Sequence, residues 1–164
     1  MTDSISFNAR GVYTFSPDRF YRVELRNGCL YFLRIGGQFD TDRIRAGTPP
    51  GAGLLPTVMM LAASKAISHK HEKAQLIARD PAKDPEELVA IHSDNFRLLP
   101  SEIKRVTFHP KKWFPSHGPH VGRLVIEQMD GKSLEYQFEK VEDLRAAIEH
   151  LFAALGDKVA GHIR

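Results

Sequence analysis

Between Gly122 and Val159 the chain reads GRLVIEQMDGKSLEYQFEKVEDLRAAIEHLFAALGDKV, and no other stretch restricts the possible folds as much. Asp130-Gly131 is a turn signal between two runs of strand character. With Met129-Asp130-Gly131 as the loop and Gly131 left-handed in a bulge, Gln128 faces Lys132, Ile126 faces Leu134 and Leu124 faces Tyr136. That register gathers Leu124, Ile126, Leu134, Tyr136 and Phe138 on one face. Val125, Glu127, Ser133, Glu135 and Gln137 fall on the other. A two-residue turn would pair Ile126 with Glu135 and Leu124 with Gln137, mixing polar and apolar on each face. Because a slip of one residue turns a whole strand over, the bulged turn is expected. Val141, Leu144, Ile148, Leu151, Phe152 and Leu155 then recur at three- and four-residue steps, which predicts a helix with one apolar stripe. Glu142, Asp143, Arg145 and Glu149 fall on its solvent side, with the acids near the N-terminus where the helix dipole favours them. Gly156 follows as a left-handed cap. A hairpin alone is marginal in water, so this helix is expected to lie across a larger sheet.

Upstream, Tyr21 to Ile35 is a second hairpin, with Asn27-Gly28 as its two-residue turn. Val23, Leu25, Leu30 and Phe32 share one face. Arg22, Glu24, Cys29, Tyr31 and Leu33 share the other, whose apolar members predict a partial cover. Residues 1–20 hold short alternations that fit one edge strand, ended by Ser16-Pro17-Asp18. Gly36 to Pro56 is a long connection rich in glycine and proline, of a length associated with function or mobility. Thr57 to Arg79 is expected to be a helix with Met59, Ala63, Ala66, Ile67, Ala74 and Ile77 on one face, stopped by Asp80-Pro81. A short helix follows, with Asp84 as cap, Pro85 in the first position and Glu87 closing a capping box. Asn95 to Phe108 returns to strand character in two pieces divided by Pro100, with Ile103, Arg105 and Thr107 alternating against Lys104, Val106 and Phe108.

The order of these elements, with Leu99-Pro100-Ser101-Glu102-Ile103-Lys104-Arg105-Val106 ahead of the last hairpin, resembles the pleckstrin-homology-like superfold, and most closely its bacterial and GRAM-type members. The resemblance covers Tyr21–Ile35 and Asn95–Leu155. It implies an α+β fold: a bent antiparallel sheet, or partly open β-barrel, capped by the C-terminal helix. Residues 1–164 then form a single domain with its core in 10–35 and 95–159. The segment 36–94 is an insertion, helical at about 57–92, where such domains have short loops. No binding motif of the family matches residue for residue. The fold implied is one that contacts protein, peptide or anionic lipid.

The totals narrow the function classes. A net charge of +3 is too small by itself to imply nucleic acid, and no nucleic-acid partner is expected. The single Cys29 excludes an internal disulfide and fits a reducing compartment. The polar N-terminus shows no secretion signal, and the weakly polar run from Gly51 to Ser64 is too short to span a bilayer. A cytoplasmic protein, peripheral to a membrane at most, is expected.

Residues 97–123 carry Arg97, Lys104, Arg105, Lys111, Lys112 and Arg123 against the single acid Glu102. Trp113 and Phe114 follow Lys111-Lys112 directly. Aromatics beside lysines fit a headgroup boundary, where each lysine contributes about 1 kcal/mol of attraction to anionic lipid. The plainer reading folds Trp113 or Phe114 back as a lid on the core. His109, His117 and His120 lie in the same stretch and are the candidates for a metal site, which would need further ligands. His69 and His71 stand about 200° apart on a helix and cannot chelate one ion. The Gly47–Gly53 run lacks the Gly-Lys-Ser/Thr ending of a phosphate loop. Asp40 and Asp42 form a pair without a third ligand, and Cys29 is a packing residue. The expectation is a non-catalytic binding or scaffold module without a cofactor, acting through Lys111, Lys112, Trp113 and Phe114 with Lys104 and Arg105. A small metal-dependent protein or enzyme using the three histidines, and an oligomeric assembly module, are the rivals.

Overall fold

The two hairpins that the turn residues specify become neighbours in one sheet. The computed structural model describes residues 5–12, 19–37, 73–110 and 120–161. Its strands are β1 (Ile5–Gly11), β2 (Arg19–Arg26), β3 (Cys29–Gly37), β4 (Phe96–Leu98), β5 (Ile103–Pro110), β6 (Gly122–Gln128), β7 (Ser133–Phe138) and β8 (Val159–Ala160). They form one open sheet in the order β4-β3-β2-β1-β7-β6-β5-β8. Every pairing is antiparallel except β5 with β8. Two described helices accompany the sheet, α1 (Pro85–Ile91) and α2 (Val141–Leu155), and residues 73–78 are also helical. The molecule is thus an α+β protein with a mostly antiparallel sheet and a C-terminal helix. Among the described residues no helix is long and apolar enough to cross a membrane.

Local chemistry sets both hairpin registers as expected. Leu124 pairs with Tyr136 and Ile126 with Leu134, while Gly131 sits at φ +85°. The Asp130 carboxylate accepts from the Lys132 amide and stiffens the turn. Asn27 and Gly28 both take positive φ, the pair of conformations a two-residue hairpin turn needs. Val23 then faces Phe32, and Leu25 faces Leu30.

Three expectations are corrected. The first strand is not an edge strand: β1 lies between β2 and β7. Arg10 of this strand is buried on the face away from the core. The strict alternation over 103–108 also fails. A bulge between Ile103 and Arg105 absorbs one residue, so Ile103, Val106 and Phe108 all point into the core. Without it Ile103 would face outward. On α2 the buried residues are Leu144, Ala147, Leu151 and Leu155, whereas Val141 and Phe152 are exposed. The small Ala147, fully buried, forms the contact line instead.

The core is aromatic at its centre. Phe32 stacks on Phe96 at 4.7 Å and on Tyr136 at 5.1 Å. Tyr21 meets all three rings edge-on. Around them α2 supplies Leu144, Leu151 and Leu155. The helix comes so near the start of β6 that a Cβ on Gly122 would lie 2.8 Å from Leu144 Cδ2.

A smaller apolar cluster covers the opposite face of β3. Tyr31 and Leu33 pack against Ala78 and Leu88, so residues 73–91 provide the partial cover expected there. α1 starts at the predicted Asp84 cap with Pro85 in its first turn, but the Asp84 carboxylate accepts from the Glu86 amide and the expected capping box with Glu87 does not form. The remainder of the expected helix, 57–72, lies outside the described residues.

Candidate functional site

The bulge that directs Ile103 inward also leaves Lys104 and Arg105 both exposed. Two adjacent cations therefore stand at the beginning of β5. From Lys104 to Pro110, at the other end of the strand, is six residues, or about 20 Å. The chain leaves β5 at Pro110 and enters β6 at Gly122, and these two residues are paired. Lys111, Lys112, Trp113 and Phe114 belong to the connection between them and lie outside the described residues. Lys104 and Arg105 mark one end of β5, and the connection between β5 and β6 leaves from the other.

The remaining cations of that stretch are engaged. Arg97 donates to Glu86, and Arg123 donates to Glu135 at 2.9 Å. Arg97 pairs with Tyr31 across β3 and β4 and so belongs to the face covered by α1. Tyr31 Oη donates to the second oxygen of the same Glu86 at 2.6 Å. That bond, aided by burial and by the negative charge of Glu86, pushes the phenol pKa up to about 12.

His109 is half-buried at the end of β5, opposite Arg123, and His120 is half-buried just before β6. His117 lies outside the described residues, as do Asp40, Asp42 and the Gly47–Gly53 run. Among the described residues there is no group of three or more His, Cys, Asp or Glu side chains able to hold a metal ion.

The structure adds polar features that local sequence patterns do not announce. Asp94 bridges two arginines, Arg34 and Arg19, the latter at 3.0 Å. The Asn95 side chain accepts from the Arg34 amide and donates to the Leu88 carbonyl, tying α1 to β3. Arg22 and Glu24 lie buried on β2, 3.3 Å apart. Burial pushes the Glu24 carboxyl above its ordinary value, against the pull of Arg22 and Arg26.

Where β1 parts from β7, a cavity of about 200 Å³ opens beside Arg10, Gln137 and Lys140. Arg10 Nη2 donates to Gln137 Oε1, a cross-strand pair between residues 127 positions apart in sequence. Beyond that pair β1 has no strand partner on this side, and the Asn8 amide donates instead to Asp143 of α2 at 2.7 Å. The sequence placed Asp143 on the solvent side of the helix, and no local signal links it to β1. A second cavity of about 230 Å³ lies between Leu98, Glu102 and Met129, at the end of β5 that carries Lys104.

No family model matches the chain, and no curated protein or solved structure was found to be similar to it.

Proposed function

We propose that the chain is a non-catalytic binding module of pleckstrin-homology-like architecture. In this reading it contacts protein, peptide or anionic lipid through Lys111, Lys112, Trp113 and Phe114, and Lys104 and Arg105 form a second basic patch. The supporting observation is the path of the sheet. Four strands run β1 to β4 antiparallel in sequence order, β1 joins β7, and β7, β6, β5 and the short parallel β8 complete the sheet, with α2 between β7 and β8 in the chain. A mostly antiparallel sheet with a C-terminal helix supports the reading drawn from Leu99–Val106 and its flanking hairpins.

The packing of the interior bears on where a ligand can sit. Tyr21, Phe32, Tyr136 and Phe138 are almost wholly buried and occupy the middle of the core. A ligand of ordinary size has no room among them, so contact belongs to the outer surface. The connection after Pro110 combines two lysines with two aromatics, a composition suited to an anionic interface.

Co-sedimentation of the full chain with vesicles tests the lipid form of this reading. Vesicles rich in phosphatidylserine are expected to carry the protein down, neutral ones are not, and raised salt is expected to weaken the binding. Equal, negligible sedimentation on both would contradict lipid contact and leave a protein or peptide as the ligand.

A further inference from the structure

The chain has three asparagines, and the fold holds two of them by their side chains. Asn95 is buried, and its side chain accepts from the Arg34 amide and donates to the Leu88 carbonyl, both at 2.7 Å. Asn8 lies within β1 opposite Arg22, and its side-chain amide donates to Asp143 at 3.2 Å. Asn27 stands exposed at the tip of the β2–β3 hairpin, and its side chain has no hydrogen-bond partner among the described residues.

The residue that follows each asparagine differs as well. Ala9 is buried in β1, and Phe96 stacks on Phe32. Gly28 is exposed, and a Cβ placed on it would meet nothing within 4 Å. Its amide nitrogen thus has no side chain beside it and open space around it. Asn27 and Gly28 alone form the loop between the paired Arg26 and Cys29. Ring closure of Asn27 onto the Gly28 nitrogen takes the pair out of its positive-φ turn conformation. None of the four residues 26–29 is buried, and exposed tips open locally at little cost.

We propose that Asn27 is a site of spontaneous deamidation and that its isoaspartyl product undoes the hairpin tip. The Gly28 amide nitrogen loses its proton to solvent base and attacks Asn27 Cγ. The new C–N bond closes a succinimide, and the side-chain nitrogen leaves as ammonia. Water then adds to either ring carbonyl and breaks its C–N bond. The net change is amide plus water to carboxylic acid plus ammonia, with nothing oxidised or reduced. One opening leaves aspartate in an ordinary main chain, and aspartate before glycine suits the same turn. The other routes the main chain through Cβ as isoaspartate, one atom longer, so Arg26 and Cys29 no longer close a two-residue loop. Arg26 also pairs with Asp84, the cap of α1, at 3.1 Å, so the altered tip lies beside the cover of β3. The site does not depend on the surface contact proposed above.

The full chain is incubated folded at mildly alkaline pH beside a sample unfolded in guanidinium chloride, which sets the time the unrestrained chain needs. Peptide mass mapping reads each asparagine. Asn27 is expected to lose its amide first, giving both aspartate and isoaspartate, while Asn8 and Asn95 keep theirs. Backbone amide exchange at Cys29 is expected to quicken in the incubated protein and to keep the wild-type rate in Asn27→Asp. An intact Asn27 in the folded sample once the unfolded one has converted, equally early conversion of Asn8 or Asn95, or aspartate as the sole product overturns the site. Equal Cys29 exchange in the incubated protein and in Asn27→Asp overturns the effect on the turn.

Discussion

Glu86 holds two partners, one on each carboxylate oxygen, and this makes Tyr31 a sensitive residue. With its pKa pushed to about 12, the phenol is expected to ionise well after an ordinary tyrosine. Its hydrogen bond stabilises the fold while the phenol is protonated, and that contribution is lost as pH rises from about 10 to about 12. Ultraviolet absorption of tyrosinate checks this: Glu86→Gln is expected to bring part of the tyrosinate signal to lower pH than in the wild type. Glu24 acts in the same direction at lower pH. Its carboxyl is raised by burial, so the folded state holds the proton more tightly than the unfolded chain does. Stability is therefore expected to fall as pH rises from 4.5 through the raised value. Unfolding free energy measured against pH should show that decline in the wild type and lack it in Glu24→Gln.

For the elements, the terminal helix gives the clearest contrast. Leu151 is buried and its neighbour Phe152 is 42% exposed. Leu151→Ala is expected to cost about 2–5 kcal/mol and Phe152→Ala much less, as read from urea midpoints. The sequence placed both in the apolar stripe, because counting large apolar side chains overlooks Ala147, where close approach needs a small residue. Elements were most legible where the determinant was local. Gly131 and Asn27-Gly28 specified two registers, and Asp84-Pro85 specified the start of α1. The bulge at Lys104 and the parallel strand β8 were not legible. The first depends on which side of β5 the core lies. The second depends on Val159 meeting Val106 across a gap of more than fifty residues. The candidate site was legible only as composition: Lys104 and Arg105 are exposed, and their distance from Pro110 along β5 follows from strand geometry.

Across the whole molecule, two groups of strands meet along a narrow seam. β1 and β7 pair only at Arg10–Gln137 and Gly11–Tyr136, and Asp143 takes over where the pairing stops. Asp143→Ala removes the acceptor of the Asn8 amide and is expected to cost about 1–3 kcal/mol. Hydrogen exchange at Asn8 should then quicken more than at β2–β3 amides. This seam joins residues from opposite ends of the chain, which is why neither Arg10 nor Gln137 stood out in sequence. It also borders the Arg10 cavity.

The surface contact proposed for the connection between β5 and β6 can be read from Trp113, the only tryptophan in the chain. Its emission in the full chain is measured free and with phosphatidylserine vesicles. Water-exposed emission that shifts to the blue and strengthens on the vesicles, with the change lost in Lys111→Glu/Lys112→Glu, is the predicted result. Emission that is already blue in the free protein and unchanged by vesicles would contradict it, because Trp113 would then be a buried lid on the core.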